Sequence, residues 1–96
     1  MIIQPHRVFT ACAFELCLPP QARFLSVQTM NGEPWMWFLV DEDLALGKPV
    51  TRMFTCFRTG EQFLHGHAWT YLGTFQVALD DFLERTETEI YHLFEL

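Results

Sequence analysis

Apolar and polar positions alternate along much of this chain with the period of two that is typical of β-strands. The clearest case is a pair of β-favouring runs, residues 24–30 and 34–40, which are separated by Asn31-Gly32. An Asn-Gly pair between two such runs is the strongest short-range signal for a β-hairpin, because both residues tolerate a positive φ. The pattern therefore predicts a hairpin whose turn is centred on Asn31 and Gly32.

The second arm of this hairpin is apolar at every position from residue 35 to residue 40. Successive side chains of a strand point to opposite faces, so both faces of this arm carry large apolar groups. A strand of this kind is predicted to lie centrally and to be covered on both sides. Trp35 and Trp37 share one face, and they are expected either to fill the core or to form an interface hot spot beside the turn.

Two further runs have the composition of strands. The first covers residues 8–18 and ends at Pro19-Pro20, which cannot continue a ladder. The second is Val50–Arg58, which is followed by the turn signal Thr59-Gly60. Each run is predicted to form one strand.

Residues 68–77 predict a further strand that contains Gly73. A glycine inside a strand is typical of a bend or of a close approach between two strands. The side chains expected to share the face of Gly73 are Trp69, Tyr71, Phe75 and Val77.

The segment from residue 79 to the C-terminus carries two competing signals. Its apolar residues recur at helical intervals, whereas Thr86, Thr88 and Tyr91 favour a strand. Together they predict a short helical turn near residues 79–85 and a final strand over residues 88–94.

These elements predict a mostly β protein: an antiparallel sheet of five to six strands that forms a small sandwich or partial barrel, with one short helix near residues 79–85. The 96 residues are expected to form a single domain, 1–96. Half of the residues are hydrophobic and ten are Phe, so an apolar core can stabilise the fold without disulfides or a structural metal.

The formal charge of −6 has the wrong sign for binding a phosphate backbone, so nucleic acid is not expected as a partner. Acidic residues concentrate at residues 41–43 and again over residues 80–95. Asp80, Asp81 and Glu84 are interpreted either as a solvated face or as a docking surface for a basic partner.

Three cysteines, Cys12, Cys17 and Cys56, lie in apolar stretches without CxxC spacing and are expected to be buried in the core. An odd number of thiols is typical of a reducing compartment, which predicts a cytoplasmic location. Residues 1–7 lack the pattern of a signal peptide, and no apolar run is long enough for a bilayer, so no membrane association is expected.

His65 and His67 flank Gly66 and could hold one metal ion with His92, Cys56 or Glu61 as a third ligand. A histidine pair in a glycine-containing loop is more typical of solvated side chains, so neither a metal nor another cofactor is predicted. The thiols lie in apolar runs rather than in electropositive settings, and no catalytic residues are assigned. The sequence therefore predicts a protein that is not an enzyme.

Arg52 and Arg58 share a strand face with Phe54 and are a candidate clamp for a nucleotide, with Trp69 or Tyr71 stacking on the base. The alternative is that each guanidinium forms a salt bridge with one of the many carboxylates.

Six short motifs occur in a fixed order along the chain from residue 24 to the end. They are Leu25-Ser26-Val27-Gln28, Asn31-Gly32 with Pro34 and Trp37, Leu39-Val40-Asp41, Arg52 with Phe54 and then Arg58-Thr59-Gly60, Tyr71-Leu72-Gly73-Thr74-Phe75-Gln76, and Tyr91-His92-Leu93-Phe94-Glu95. This order resembles that of an uncharacterised family of small proteins encoded by bacteriophages and prophages. The resemblance implies a phage origin, and it favours the terminal strand over a long helix, but it implies no activity. In place of the family's compact hairpin turn, this chain has the longer acidic stretch 80–89.

Small size, acidic charge and this resemblance predict an accessory protein that binds and inhibits a host factor in the bacterial cytoplasm, with anti-phage defence as a candidate target. One alternative is a sponge that sequesters a small anionic nucleotide signal through Arg52 and Arg58. Another is a structural or assembly accessory of the virion. Because so apolar a sheet leaves strand edges that favour association, a homodimer is expected.

Overall fold

Seven β-strands in two antiparallel sheets make up the described part of the chain, residues 1–41, 47–63, 68–80 and 86–96, in the computed structural model. The three-stranded sheet has the order β1-β4-β3, and the four-stranded sheet has the order β2-β5-β7-β6. Within these residues the two sheets do not close into a barrel, so they form an open sandwich. The strands are β1 Ile2–Arg7, β2 Phe14–Leu18, β3 Arg23–Met30, β4 Glu33–Val40, β5 Val50–Arg58, β6 Thr70–Asp80 and β7 Thr86–Glu95.

The predicted hairpin is confirmed. β3 pairs with β4 from Arg23 opposite Leu39 to Met30 opposite Glu33. Asn31 and Gly32 both have positive φ, 53° and 78°. Positive values at both turn positions match the right-handed twist of the flanking strands, which is why Asn-Gly marks this turn so reliably. The bounds of β5 and the existence of a final strand are confirmed as well.

The prediction of one strand over residues 8–18 is wrong. Only Phe14–Leu18 is a strand, and a separate strand, Ile2–Arg7, precedes it. The sequence did not predict β1 because Pro5 interrupts its strand pattern. Proline is tolerated there because β1 lies at the edge of its sheet. The buried Val8 then donates its N–H to the carbonyl of Pro34 and ties the end of β1 to β4.

A β-bulge in β6 corrects the predicted common face around Gly73. Tyr71 lies opposite Phe94 and Gly73 lies opposite Leu93, so Leu72 is an extra residue in the ladder. One extra residue moves every preceding side chain to the other face. Phe75 is therefore buried, while Tyr71 is 56% exposed on the outer side of the sheet.

The predicted helical turn near residues 79–85 is wrong at its start. Residues 79 and 80 belong to β6, which pairs with β7 from Thr70 opposite Glu95 to Asp80 opposite Thr86. Residues 81–85 lie outside the described part of the chain. The described residues contain no helix, since hydrogen bonding between the two strands outweighs the helical spacing of the apolar residues here.

Aromatic contacts join the two sheets in the core. Phe38 of β4 and Phe54 of β5 are both fully buried, and their ring centroids are 6.0 Å apart in an edge-to-face arrangement. Phe24 packs edge-on against Phe38, and Phe14 stacks on Phe54. Each buried Phe contributes on the order of 1.5–3 kcal/mol through the hydrophobic effect. The other buried apolar residues are Val8, Leu18, Ala22, Val27, Met36, Val40, Cys56, Phe75 and Leu93.

The sheets approach most closely where β3 meets β6. The hydroxyl of Thr29 donates to the carbonyl of Gln76, and Val27 lies directly over Gly73. A Cβ on residue 73 would lie 2.9 Å from Cγ1 of Val27, which is shorter than any relaxed contact between carbon atoms. The sequence-based expectation of a close approach at Gly73 is therefore confirmed.

We expect Gly73→Ala to lower the free energy of unfolding by about 1–3 kcal/mol, which is the usual cost of overpacking a core. Chemical denaturation measures this change. The matched control is the same substitution in a Val27→Ala background, where the opposing methyl group is absent and the cost should fall. Equal costs in both backgrounds would show that the sheets do not meet at this point.

His6 places an imidazole on the inner side of β1, edge-on against Phe38 with ring centroids 5.7 Å apart. Its Nε2 atom is buried and has no hydrogen-bond partner among the described residues. Burial lowers the pKa of His6 below its ordinary value of 6.5, because the charged imidazolium is poorly solvated there.

This shift predicts a pH dependence of stability. Below the unfolded pKa of 6.5 the unfolded chain binds a proton at His6 that the folded chain resists, so stability falls as the pH falls. We expect the native chain to lose more stability than His6→Phe when urea unfolding is compared at about pH 7.5 and about pH 5.5. The variant corrects for all other titrating groups, so identical losses would contradict a neutral, buried His6.

Candidate functional site

The outer side of the three-stranded sheet carries a continuous apolar surface, which we call the tryptophan face. It is formed by Ile3 and Pro5 of β1, Met30 of β3, and Trp35, Trp37 and Leu39 of β4. The register places Pro5 opposite Trp37 and Ile3 opposite Leu39 on the same side of the sheet. Ile3 is 60% exposed and Met30 is 44% exposed, while both tryptophans are half-buried.

The expectation that β4 is covered on both sides is therefore wrong for one side. Met36, Phe38 and Val40 point inward and are buried, but Trp35 and Trp37 point outward and are only half-buried. β4 is central in its sheet, as predicted, yet the described strands form just two sheets, so only one side of β4 faces a second sheet. Of the two predicted roles for these tryptophans, their position is consistent with an interface rather than with the core.

A shallow cleft of about 260 Å³ opens on this face, lined by Pro5, Met30, Asn31, Trp35 and Trp37. The guanidinium of Arg7 lies 5.8 Å from the Trp35 ring centroid and 3.1 Å from a carboxylate oxygen of Glu33. The cleft thus has aromatic walls and a cationic group beside it, a combination that is suited to an apolar side chain with a negatively charged neighbour.

The guanidinium of Arg52 is engaged by a carboxylate, a backbone carbonyl and two aromatic rings of the protein itself. Its Nε and Nη2 atoms donate to the two carboxylate oxygens of Glu95 at 2.5 and 2.7 Å, and Nη1 donates to the carbonyl of Ala22 at 2.7 Å. Its guanidinium also lies over the rings of Phe38 and Phe54, at 5.2 and 5.9 Å from their centroids. The salt-bridge alternative for Arg52 matches this geometry, because its fork of donors is already engaged by protein oxygens.

Arg58 lies at the opposite end of β5, at a cleft that we call the arm groove. The groove has a volume of about 480 Å³ and is lined by Arg58, Thr59, Gly60 and Glu61 at the end of β5 and by Thr88, Glu89 and Ile90 of β7. The Arg58 guanidinium is 3.6 Å from a carboxylate oxygen of Glu89, and the Arg58 backbone N–H donates to Oε2 of Glu61 at 2.8 Å.

Tyr91 borders the same region, and its hydroxyl donates to the carboxylate of Glu89. This hydrogen bond raises the pKa of Tyr91, with burial as a smaller contribution, because the carboxylate stabilises the protonated phenol. Glu89 therefore contacts Arg58 through an ion pair and Tyr91 through a hydrogen bond beside the groove.

The two arginines do not form a paired clamp within one chain. Arg58 is six positions after Arg52 in the extended strand β5, which corresponds to about 20 Å. Tyr71, one of the proposed stacking residues, projects from the outer side of the sheet, whereas Arg52 contacts Phe38 and Phe54 in the core. A nucleotide site built from these residues would need groups from more than one chain.

An aromatic cluster that the sequence did not predict covers the outer side of the four-stranded sheet. Phe63 stacks on Phe57 with ring centroids 4.1 Å apart, and Trp69 packs edge-on against Phe57. Phe94 contacts Phe57, Phe63 and Tyr71. The residues come from β5, β6, β7 and the connection after β5, so only their joint placement reveals the cluster.

A chain of hydrogen bonds runs beside this cluster. The Tyr71 hydroxyl bonds to the Thr74 hydroxyl, which bonds to Nδ1 of His92 at 2.9 Å, and Nε2 of His92 bonds to the hydroxyl of Thr59 at 2.8 Å. Each ring nitrogen of His92 therefore has one hydroxyl group as its hydrogen-bond partner. The arrangement orients His92 between β5 and β6.

Several predicted residues have a different environment from the one expected or lie outside the described chain. Asp80 ends β6, whereas Asp81 and Glu84 are outside the described residues, as are His65 and His67. The remaining described residues contain no group of three potential metal ligands.

The expectation that all three cysteines are buried is wrong for two of them. Cys12 and Cys17 are exposed, because Cys12 lies in the connection between β1 and β2 and Cys17 points away from the core. Cys56 is buried, and burial raises the pKa of its thiol to about 12. That thiol stays protonated near neutral pH, so it is not a nucleophile.

Fold and surface together define a small two-sheet β protein with an exposed apolar face. The chain belongs to the family described as Domain of unknown function (DUF7352), whose model matches residues 3–96. Comparison with curated proteins found no match, and comparison with solved structures found none either. Within the described chain, no helix has the length and apolar character that a membrane span requires.

We expect Glu95→Ala to lower the free energy of unfolding by about 2–3 kcal/mol, because it leaves the Arg52 guanidinium against apolar rings without its carboxylate partner. Urea denaturation provides the measurement. The control is Glu33→Ala, which breaks the Arg7 ion pair. Both side chains of that pair are nearly half exposed, at 45% and 47%, against 20% and 17% for Arg52 and Glu95. The control should cost less than about 1 kcal/mol, and similar costs for the two variants would contradict a structural role for Arg52.

Proposed function

We propose that this protein is a binding module that holds a partner protein on its tryptophan face. The observation that supports this proposal is the position of Trp35 and Trp37, side by side on the outer side of a two-layer fold, next to the exposed Ile3 and Met30. Contiguous exposed apolar surface mostly marks interaction sites, and tryptophan is among the residues that contribute most to binding free energy.

Charge supports a partner that carries carboxylates. The three strands of this sheet contain Arg7, Arg23 and Glu33 as their only acidic or basic side chains apart from His6, and Glu33 is already paired with Arg7. The sheet is thus slightly positive, although the chain has a formal charge of −6. A partner that inserts an apolar side chain into the cleft and places acidic groups near the two arginines would match this surface.

The resemblance of the sequence to bacteriophage proteins gives the proposal its finer form. In that form, the protein is a phage accessory protein that binds a host factor in the bacterial cytoplasm and inhibits it, and a component of anti-phage defence is a candidate target. A small two-sheet protein with an apolar outer face suits such a role, because blocking a partner requires tight binding and steric exclusion but no catalytic chemistry.

We expect Trp37→Ala to raise the Kd for the partner by about tenfold or more while the chain remains folded, because half-buried tryptophans at the centre of an interface are typical hot spots. A photo-reactive residue at position 39 would first trap the partner. The purified partner would then be titrated against native and variant proteins by calorimetry. Phe9→Ala is the matched control, because Phe9 is also exposed but lies in the connection after β1, outside the tryptophan face.

The possible outcomes discriminate between occupants of this face. An unchanged Kd for Trp37→Ala would exclude the tryptophan face as the binding surface. If instead the substitution lowers the sedimenting mass of the protein alone, a second copy of this chain covers the face, and the homodimer expectation is supported in place of a different partner.

A further inference from the structure

β7 is longer than the strand that pairs with it on one side. The β5·β7 register ends with Arg58 opposite Tyr91, and one more hydrogen bond follows, from the Thr59 N–H to the Ile90 carbonyl at 3.1 Å. β7 continues beyond this point as far as Thr86, and there it still pairs with β6 on its other side. Along Thr86–Glu89, no strand of the described chain occupies the position next to β7 where β5 would lie.

A tight turn creates this gap. The Glu61 N–H donates to the Arg58 carbonyl at 3.0 Å, and Gly60 between them has a φ of 84°. The Glu61 carboxylate accepts from the Arg58 backbone N–H and reinforces the turn. The chain is thereby directed away from β7 just as β7 continues, and the space left between turn and strand is the arm groove.

Backbone groups of β7 point into this groove. In an extended strand, the N–H and C=O of one residue point to the same neighbouring strand, and those of the next residue point to the opposite neighbour. Because the Ile90 carbonyl faces β5, the backbone groups of Thr88 also face the β5 side, where the groove lies. An extended segment placed there would extend the line of β5 and pair with β7 by strand addition.

Charge determines which occupant fits. Glu89 lies opposite Val77 and Glu87 lies opposite Leu79, so both glutamates are on the same face of β7, and Glu61 lines the groove from the turn. A second copy that paired through the same edge would bring its own glutamates against these, and like charges across a strand pair destabilise it. Lysine or arginine at alternate positions of an added strand would instead lie beside Glu87, which is exposed.

We propose that the arm groove binds an extended, basic segment of a partner protein by strand addition to β7 at Thr86–Ile90. This site goes beyond the tryptophan face, since it lies on the other sheet and uses backbone pairing and glutamates rather than aromatic burial. Arg58 and Glu89 neutralise each other in an ion pair of 3.6 Å, so Glu87 and Glu61 supply the net negative charge that attracts a basic ligand.

The experiment uses the full chain and a short fluorescent peptide in which lysine alternates with threonine. Fluorescence anisotropy should show saturable binding, whereas a peptide with glutamate in place of lysine should bind at least about tenfold more weakly. Hydrogen exchange on labelled protein should show the Thr88 amide slowed by at least about tenfold when the lysine peptide is bound. No slowing at residues 86–90 would overturn the proposed site.

A proline scan of the peptide tests strand addition directly. Only every second N–H of an added strand faces β7, so proline at successive positions should weaken binding alternately, by about tenfold and by much less. A flat profile would show that the contact is purely electrostatic and would overturn strand addition.

Protein variants separate this site from the tryptophan face. Glu87→Lys should weaken binding of the lysine peptide by about tenfold, whereas Glu15→Lys, the same charge change at an exposed position of β2, should weaken it far less. Trp37→Ala should leave peptide binding unchanged. Equal losses for the two lysine variants, or self-association of the native chain through β7, would overturn the proposal.

Discussion

The edge-to-face contact between Phe38 and Phe54 is the interaction on which the rest of the structure depends, because it fixes two sheets around one apolar core. Both rings are fully buried, and each contacts a further aromatic ring from an outer strand, Phe24 or Phe14. Arg52 closes this core at one end, with its guanidinium over both central rings and its charge neutralised by Glu95. Arg52, which the sequence suggested as a ligand-binding residue, thus packs against the edge of the core.

A two-layer core uses only one side of each sheet, and this chain has more large apolar side chains than one core can bury. The outer aromatic residues of the four-stranded sheet contact one another, and the connection after β5 contributes Phe63 to that cluster. On the three-stranded sheet, no comparable aromatic cluster of the described residues covers Trp35 and Trp37, and both are half-buried. An outer face that contains two half-buried tryptophans beside exposed apolar residues favours an interaction role over a packing role.

The sequence predicted those parts of the fold that depend on local chemistry. Asn31-Gly32 defined its hairpin because both turn positions require positive φ, and the alternation in β5 gave its bounds. It could not predict the bulge at Leu72, because one inserted residue changes the face of Tyr71 without changing the local composition. Both sides of β4 are apolar in the sequence. Only the arrangement of the two sheets shows that Met36 faces the core and Trp37 faces outward.

The segment Thr86–Glu89 of β7 extends past the end of β5 and forms an open sheet edge among the described strands. Backbone groups at such an edge can pair with any extended chain, which favours unspecific association. Charged side chains near such an edge are a common protection, and Glu87 and Glu89 lie on the segment beyond the end of β5. The same charges that discourage pairing between identical copies leave a basic segment unopposed. Protection against self-association and selectivity for a basic segment therefore follow from one feature. That feature is the position of glutamates on a strand that extends past its neighbour.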